Sequence, residues 1–449
     1  MKAKYAILFL SIICFLIVLG LFKLLNHPII NNDEGIYWTT FLSVSRGHPL
    51  YKETFFSQLP GFFLTVYPGF LLFGKTIISA RLVILLWSLV GLASLMIFFG
   101  WSGVLTTFIL LSIPIFLQQI VTFQSDALTV TFSLLSIVSM YRYNDTDKRW
   151  LVISAIFFSL AFWTKFDISV AIPVVLVLFL KKDKLKNLPA FLTLIVLLAI
   201  AMTLPFGVNE MISNVIGLRR AALAVYPFQP VDVFKLLLHS AVLLLLITVT
   251  TLLVLIQKPK LTNLSAIAFI WGVISLTLLT FYRPLFSHHL VFIAVPFSIT
   301  FSLLISSFNK IKTFVLALFV VLSIFNIMNQ IKSVGSSYLS TEERNGVDLI
   351  KKYTKENDLV ISDEGILNAA SGRLPPPELV DISYVRVRSG NLNAEIFSNI
   401  LSQYKPKLVI SWNGRLESIQ GFEKTLTDYI LTETIDKNRK IYKIEPMHP

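Results

Sequence analysis

Long apolar runs recur through the first three quarters of the chain and constrain its fold more than any other feature. A transmembrane helix needs about 20 predominantly apolar residues. Only 14% of the 449 residues are charged, whereas soluble domains carry about 25%. We therefore predict a polytopic α-helical membrane protein with about eleven spans. The predicted spans are 5–25, 77–99, 103–122, 127–143, 150–165, 167–181, 189–206, 235–256, 264–282, 289–307 and 312–330.

One further apolar run, "LPGFFLTVYPGFLLFG" at 59–74, holds two prolines and three glycines and is better suited to an interfacial or re-entrant segment than to a span. If it does not cross, the Lys/Arg-rich connections all fall on one side of the membrane. The positive-inside rule assigns that side to the cytoplasm, together with the N-terminus. These basic connections are 142–149, 181–187, 257–263 and 309–313.

The net charge of +13 is spread over these short clusters and does not form a basic binding face, which excludes nucleic acid as the expected partner. The first run ends in "GLFKLLNHP", without the small residues of a cleavage site, and reads as an uncleaved helix. The expected location is the plasma membrane, with several crossings and with membrane lipids as neighbours.

The C-terminal part, 331–449, has a different composition, and the charge rule places it outside the cell. Short apolar runs, "DLVIS" at 358–362 and "PKLVIS" at 406–411, follow helix-like sequences. Buried strands that alternate with helices indicate a small extracytoplasmic α/β domain. The sequence thus predicts two domains, 1–330 in the membrane and 331–449 outside it.

Ionisable residues beside the predicted spans gather on the outer side. Such residues are costly in a membrane and are often functional. Carboxylates could act as a general base on a hydroxyl, and cations could hold a lipid phosphate and stabilise its departing charge. This combination favours group transfer from a lipid phosphate. The residues are Asp33, Glu34, Asp126, Lys165, Arg219, Arg220, Arg283, His288 and His289.

The stretch after the first helix, "NDEGIYWTTFLSVSRGHPLYKETFFSQLPGFFLTVYPGFLLFG", resembles the first extracytoplasmic loop of the GT-C glycosyltransferases. The most similar groups are the protein O-mannosyltransferases and the bacterial enzymes that move aminoarabinose onto lipid A. Further matches are "TFQSDALTV" with Asp126, "SLAFWTKFD" with Lys165 and, more loosely, "YRPLFSHHLVFIAVP". The resemblance covers 1–330, with 26–76 as the first loop, and implies a GT-C type fold.

The resemblance also implies an activity, the inverting transfer of a sugar from a polyprenyl-phosphate donor to an acceptor hydroxyl of a protein, lipid or glycan. Asp33 would be the catalytic base, Glu34 would lie at the acceptor site, and Asp126 would support the catalytic site. The predicted donor-phosphate ligands are Lys165, Arg283, His288 and His289. A divalent metal is left open.

Other interpretations of these patterns remain open. A transporter or flippase for a lipid-linked saccharide would also be polytopic, although its charges usually lie near the membrane midplane. A non-catalytic scaffold would need far fewer spans, and an O-antigen-ligase-like transferase would lack the acidic first loop. Asp33 could instead cap a helix, Lys165 could extend from a helix end to the interface, and the histidines could be interface residues.

Overall fold

A computed structural model describes most of the chain. The basic connections predicted on the cytoplasmic side lie partly outside the described residues. The described residues are 2–29, 32–143, 147–165, 171–180, 182–226, 231–257, 262–308, 311–335, 337–436 and 439–445. Within these described residues, seventeen α-helices precede residue 333. They are α1 Lys2–Leu24, α2 Asn32–Ser45, α3 Pro60–Leu72, α4 Ile77–Phe99, α5 Trp101–Ser112, α6 Pro114–Gln119, α7 Ser125–Arg142, α8 Arg149–Thr164, α9 Ala171–Leu180, α10 Leu188–Thr203, α11 Val208–Ile212, α12 Leu218–Val225, α13 Val231–His239, α14 Ala241–Gln257, α15 Asn263–Leu279, α16 Val291–Ile305 and α17 Lys312–Lys332.

Each of the eleven predicted spans overlaps at least one of these helices. By length and composition, four helical segments of the described residues could each cross a membrane alone: Ile77–Phe99, Leu185–Phe206, Ser287–Ile305 and Lys312–Lys332. A fifth is reached if α13 and α14 count as one broken span. The chain is thus a polytopic helical membrane protein, and the number eleven stays a prediction.

Two predicted spans are interrupted. The run 103–122 divides into α5 and α6 at Pro114, whose missing N–H suits the first position of a new helix. The run 235–256 begins inside α13, which meets α14 at 109°. Helix α13 carries Lys235 and His239 among apolar residues, a composition suited to an interface, whereas α14 is free of charge. The predicted span therefore includes the end of α13 as well as α14.

Small and polar residues hold the helices together, as expected where lipid removes the hydrophobic drive between them. The hydroxyls of Ser136 on α7 and Ser154 on α8 each donate to the other's backbone carbonyl, at 2.9 and 2.8 Å. On α17, Ser323 and Asn326 donate to carbonyls of α5 at 2.6 and 2.9 Å. These contacts fix the scaffold on which the outer polar residues stand.

The first loop contains two helices. At 13 residues, α3 is about 20 Å long and too short for a hydrocarbon core of about 30 Å. A Cβ on Gly61 would lie 2.5 Å from the backbone carbon of Trp163, so only glycine allows this approach to α8. The contact brings α3 to the end of α8, immediately before Lys165.

The C-terminal segment forms the predicted mixture of helices and strands. Its sheet has the order β1-β2-β4-β3, with β1 parallel to β2 and the remaining pairs antiparallel. The predicted strands correspond to β1 and β2, while the hairpin of β3 and β4 was missed. The elements are α18 Thr341–Tyr353, β1 Val360–Ser362, α19 Gly365–Ser371, α20 Tyr384–Arg388, α21 Ala394–Tyr404, β2 Leu408–Ser411, β3 Tyr429–Asp436 and β4 Arg439–Ile444.

This α/β unit, 337–445, packs directly on the first loop. Gly35 of α2 faces Gly365 at the start of α19, and a Cβ on Gly35 would lie 2.5 Å from the amide nitrogen of Ile366. The hydroxyl of Thr39, one turn further along α2, donates to the carbonyl of Gly365 at 2.8 Å. The two glycines let the helix backbones touch, so the position of the unit relative to α2 is defined by backbone contact.

Candidate active site

The paired acids Asp33 and Glu34 lie in the first turn of α2, where carboxylates are favoured by the helix dipole. Consecutive helical residues point about 100° apart. The two side chains therefore leave the helix in different directions. Residues four apart share a face, so Asp33 lies on the face of Tyr37, whereas Glu34 lies on the face of Trp38.

Glu34 is fully buried in a two-point ion pair with Arg81 of α4. The Arg81 Nε and Nη2 atoms donate to its Oε1 and Oε2 at 2.8 and 2.7 Å. The backbone N–H of Phe123 donates to Oε1 at 2.6 Å. Arg81 Nη1 also donates to the carbonyls of Leu25 and His27, at 2.9 and 2.6 Å. This network ties together the end of α1, α2, α4 and the segment before α7.

An acceptor-binding role would require Glu34 to be accessible, and its side chain has no exposed surface. The sequence predicts that Glu34 lies at the acceptor site, whereas in the structure its side chain is enclosed by protein. The geometry fits a residue that positions α2 and the Asp33 beside it. Arg81 was missed from the sequence, although a lone charge near the start of an apolar helix usually pairs with another polar group.

Asp33 is partly exposed and lies among charges from three parts of the chain. Burial raises the pKa of its carboxyl to about 6. The negative charges of Asp381 and Asp126 contribute to this raised pKa, and the positive charges of Lys165 and Arg415 act in the opposite direction. A carboxyl with a pKa near 6 holds a proton more readily than an ordinary aspartate, which suits a general base near neutral pH.

Asp126 and Lys165 form the second pair of the site. The Lys165 Nζ lies 2.6 Å from the Asp126 Oδ1, and both side chains are more than nine-tenths buried. The ammonium also lies 6.0 and 5.5 Å from the ring centroids of Tyr282 and Phe292. An ammonium has three N–H donors, and Asp126 takes one of them. Lys165 is therefore enclosed at the C-terminal end of α8 and does not extend freely to the interface.

Two histidines adjoin Asp126, where they could hold a metal ion. Ligand atoms of Asp126, His288 and His289 all lie within 4.8 Å of one another. The Nδ1 of His289 accepts from the N–H of Phe286 at 3.1 Å, which leaves Nε2 for another partner. One carboxylate and two imidazoles match the donor set of zinc sites.

Three further cations were singled out in the sequence, namely Arg283, Arg219 and Arg220. Arg283 is partly buried and directly follows Tyr282, whose ring contacts His289 at a centroid distance of 4.9 Å. Arg219 and Arg220 are exposed on α12. Arg219 lies near enough to Tyr37 for its charge to act on that hydroxyl, whose pKa is raised by burial, Asp33, Asp126 and Asp381.

The architecture combines a bundle of apolar helices, a first loop with an acidic helix and a short apolar helix, and a C-terminal α/β unit packed on that loop. Residues 57–208 match the model of the dolichyl-phosphate-mannose-protein mannosyltransferase family. The match covers about a third of the chain, from just before α3 in the first loop to just beyond α10.

Two crystal structures of ArnT from Cupriavidus metallidurans are similar along almost the whole chain. The apo structure aligns with a TM-score of 0.70 at 13% identity, covering 98% of both chains. The structure bound to undecaprenyl phosphate aligns with a TM-score of 0.68 at 12% identity, again over 98% of both. No functionally curated protein matches the sequence. The resemblance to GT-C glycosyltransferases drawn from the sequence is confirmed.

Proposed function

We propose that the protein is an inverting glycosyltransferase that moves a sugar from a polyprenyl phosphate to an acceptor hydroxyl at the outer face of the membrane. The observation that carries this proposal is the position of Asp33. A partly exposed carboxyl with a pKa of about 6 lies close to the charged Asp126–Lys165 pair. A base and a phosphate-binding cation near each other are what this reaction requires.

In the proposed reaction the acceptor hydroxyl gives its proton to Asp33. Its oxygen forms a bond to the anomeric carbon while the bond from that carbon to the phosphate oxygen breaks, with inversion. The electron pair of the breaking bond remains on the phosphate. Lys165 stabilises this charge with the N–H donors that Asp126 leaves available. Asp126 holds the ammonium in place.

We assign Arg283, His288 and His289 to the phosphate side of the same site. They follow α15 on the connection that brings Tyr282 against Lys165. If a divalent ion occupies the cluster of Asp126 and the two histidines, it would supply further positive charge beside the phosphate. Glu34 and Arg81 hold α2 so that Asp33 keeps its orientation.

The donor is supported by two similarities. The matched family is described as using dolichyl-phosphate-mannose, and one similar structure contains undecaprenyl phosphate. Both molecules contain a polyprenyl phosphate, to which the sugar is attached in dolichyl-phosphate-mannose. The sugar and the class of acceptor, whether protein, lipid or glycan, are to be identified by assay.

The experiment uses the purified protein in liposomes with a panel of undecaprenyl-phosphate sugars, including mannose and 4-amino-arabinose, and with the cell-envelope fraction as acceptor. We expect release of undecaprenyl phosphate with at least one donor and transfer of its sugar. The matching nucleotide sugars should be inert. Transfer from a nucleotide sugar, with every polyprenyl donor unused, would contradict the proposal.

A further inference from the structure

A proline-rich segment of the α/β unit lies against the first loop. The backbone N–H of Phe55 donates to the carbonyl of Pro377 at 3.1 Å. The guanidinium carbon of Arg386 lies 3.8 Å from the centroid of the Phe55 ring. The sequence "GRLPPPELVDIS" at 372–383 therefore forms part of the contact between the α/β unit and the loop that carries Asp33.

Asp381 near the end of this segment is fixed and buried, with 2% of its surface exposed. Its Oδ1 accepts from the N–H of Ser383 at 2.9 Å. Its backbone carbonyl accepts from Nη1 of Arg386 at 2.8 Å. The same nitrogen of Arg386 donates to the carbonyl of Glu378. Arg386 thus locks the backbone on both sides of Leu379 and Val380, so Asp381 has a defined place.

The charge of Asp381 acts on Asp33 and Tyr37, which lie on one face of α2. Among neighbouring charges it has the largest effect on the pKa of Asp33, and it also raises the pKa of Tyr37 one turn further on. The contact between Gly35 and Gly365 holds α2 and α19 backbone to backbone, which keeps the α/β unit and its Asp381 at a constant position beside this face.

Four charged groups act on Asp33. Asp126 and Lys165 belong to the helical part of the chain, while Asp381 and Arg415 belong to the α/β unit. Arg415 is itself buried, and its Nη1 donates to the backbone carbonyl of Asp363 at 2.6 Å. The α/β unit therefore contributes a charge of each sign to the surroundings of the proposed base.

We propose that the α/β unit, through its contact with the first loop, is part of the active site, and that Asp381 is a positioning residue that tunes the base Asp33 across this contact. The inference rests on the proposed function for the role of Asp33. It gives the segment 372–383 a role in the site. Without Asp381, Asp33 releases its proton at a lower pH and becomes a weaker base.

The test titrates Asp33 in the full-length protein in detergent, with EDTA present so that no metal contributes. N,N′-dicyclohexylcarbodiimide reacts with protonated carboxyls, and peptide mass spectrometry reports labelling of Asp33 at each pH. We expect a midpoint near 6 in the wild type. Asp381→Asn should shift it to lower pH. The matched control is Asp428→Asn, which removes an exposed acid of the same unit and should leave the midpoint unchanged.

Arg415→Gln provides a second test. The loss of its positive charge should move the midpoint of Asp33 labelling to higher pH. Size-exclusion chromatography identifies the variants that remain folded. Opposite shifts in the two variants, or the expected shift in the one that folds, support the proposal. Folded variants with the midpoint of the wild type would overturn it. The labelling uses no sugar donor, so absence of transfer from any polyprenyl donor contradicts the proposed function alone.

Discussion

Glu34 and Arg81 lie 47 residues apart and form a two-point ion pair with N–O distances of 2.7 and 2.8 Å, both side chains fully buried. Removing one partner of a buried pair leaves an unpaired charge and costs about 3–5 kcal/mol. We therefore expect Glu34→Gln and Arg81→Met each to lower the thermal unfolding temperature in detergent strongly.

The double variant Glu34→Gln/Arg81→Met removes both charges and should recover part of that loss. Comparison of the three unfolding temperatures tests whether the pair is structural. A Glu34→Gln protein with normal stability and a selective loss of acceptor use would favour the acceptor-site role expected from the sequence.

Orientation in the membrane is a separate prediction, motivated by the Lys/Arg-rich connections. A reporter fused after residue 335 should be active outside the cytoplasm, and a reporter inserted within 183–187 should be active inside. Both are read in intact cells with a pair of compartment-specific reporters. A cytoplasmic signal from the fusion at 335 would contradict the eleven-span arrangement.

The cluster of Asp126, His288 and His289 predicts a metal site. We expect purified protein incubated with Zn²⁺ and then desalted to retain about one ion per chain, by elemental analysis. His289→Ala should lose it. His239→Ala, which alters an exposed histidine, should not. Equal zinc in all three proteins would show that the cluster holds no specific ion.

The dependence of transfer on pH follows from Asp33. A base works in its deprotonated form, so kcat/KM should rise with pH through about 6 and level off above it. The raised pKa also means that the native protein binds more protons than the unfolded chain between about pH 4 and 6, so Asp33 lowers stability as pH rises through that window. A kcat/KM that is constant from pH 5 to 8 would contradict this assignment.

Sequence patterns identified the helices because an apolar run of span length has few alternatives to a helix. They also located the first two strands of the sheet, since short buried runs between polar turns are distinctive. The β3–β4 hairpin was missed because its strands are partly exposed and carry no continuous apolar run. The 109° break at Ser240 has no proline or glycine to announce it.

The candidate site was only partly predictable. A single sequence predicts that Asp33 and Asp126 lie on the outer side, but not which direction each helical side chain takes. The different surroundings of Asp33 and Glu34 could therefore be recognised only from the geometry of the helix. Asp381 and Arg415 were missed because they come close to Asp33 through the contact of Gly35 with Gly365, a pairing across 330 residues that leaves no local pattern.

The central claim is that Asp33 is the base. Asp33→Asn keeps the shape of the side chain and any hydrogen bond at the helix terminus, while it removes the basic oxygen. The direct measurement is the transfer rate from the undecaprenyl-phosphate sugar that the wild type uses, with Asp232→Asn, an acid on α13, as the control. We predict a loss of about 100-fold or more in Asp33→Asn, with normal folding and normal activity in the control. A folded Asp33→Asn protein that transfers at nearly the wild-type rate would contradict the claim and make Asp126 the next candidate.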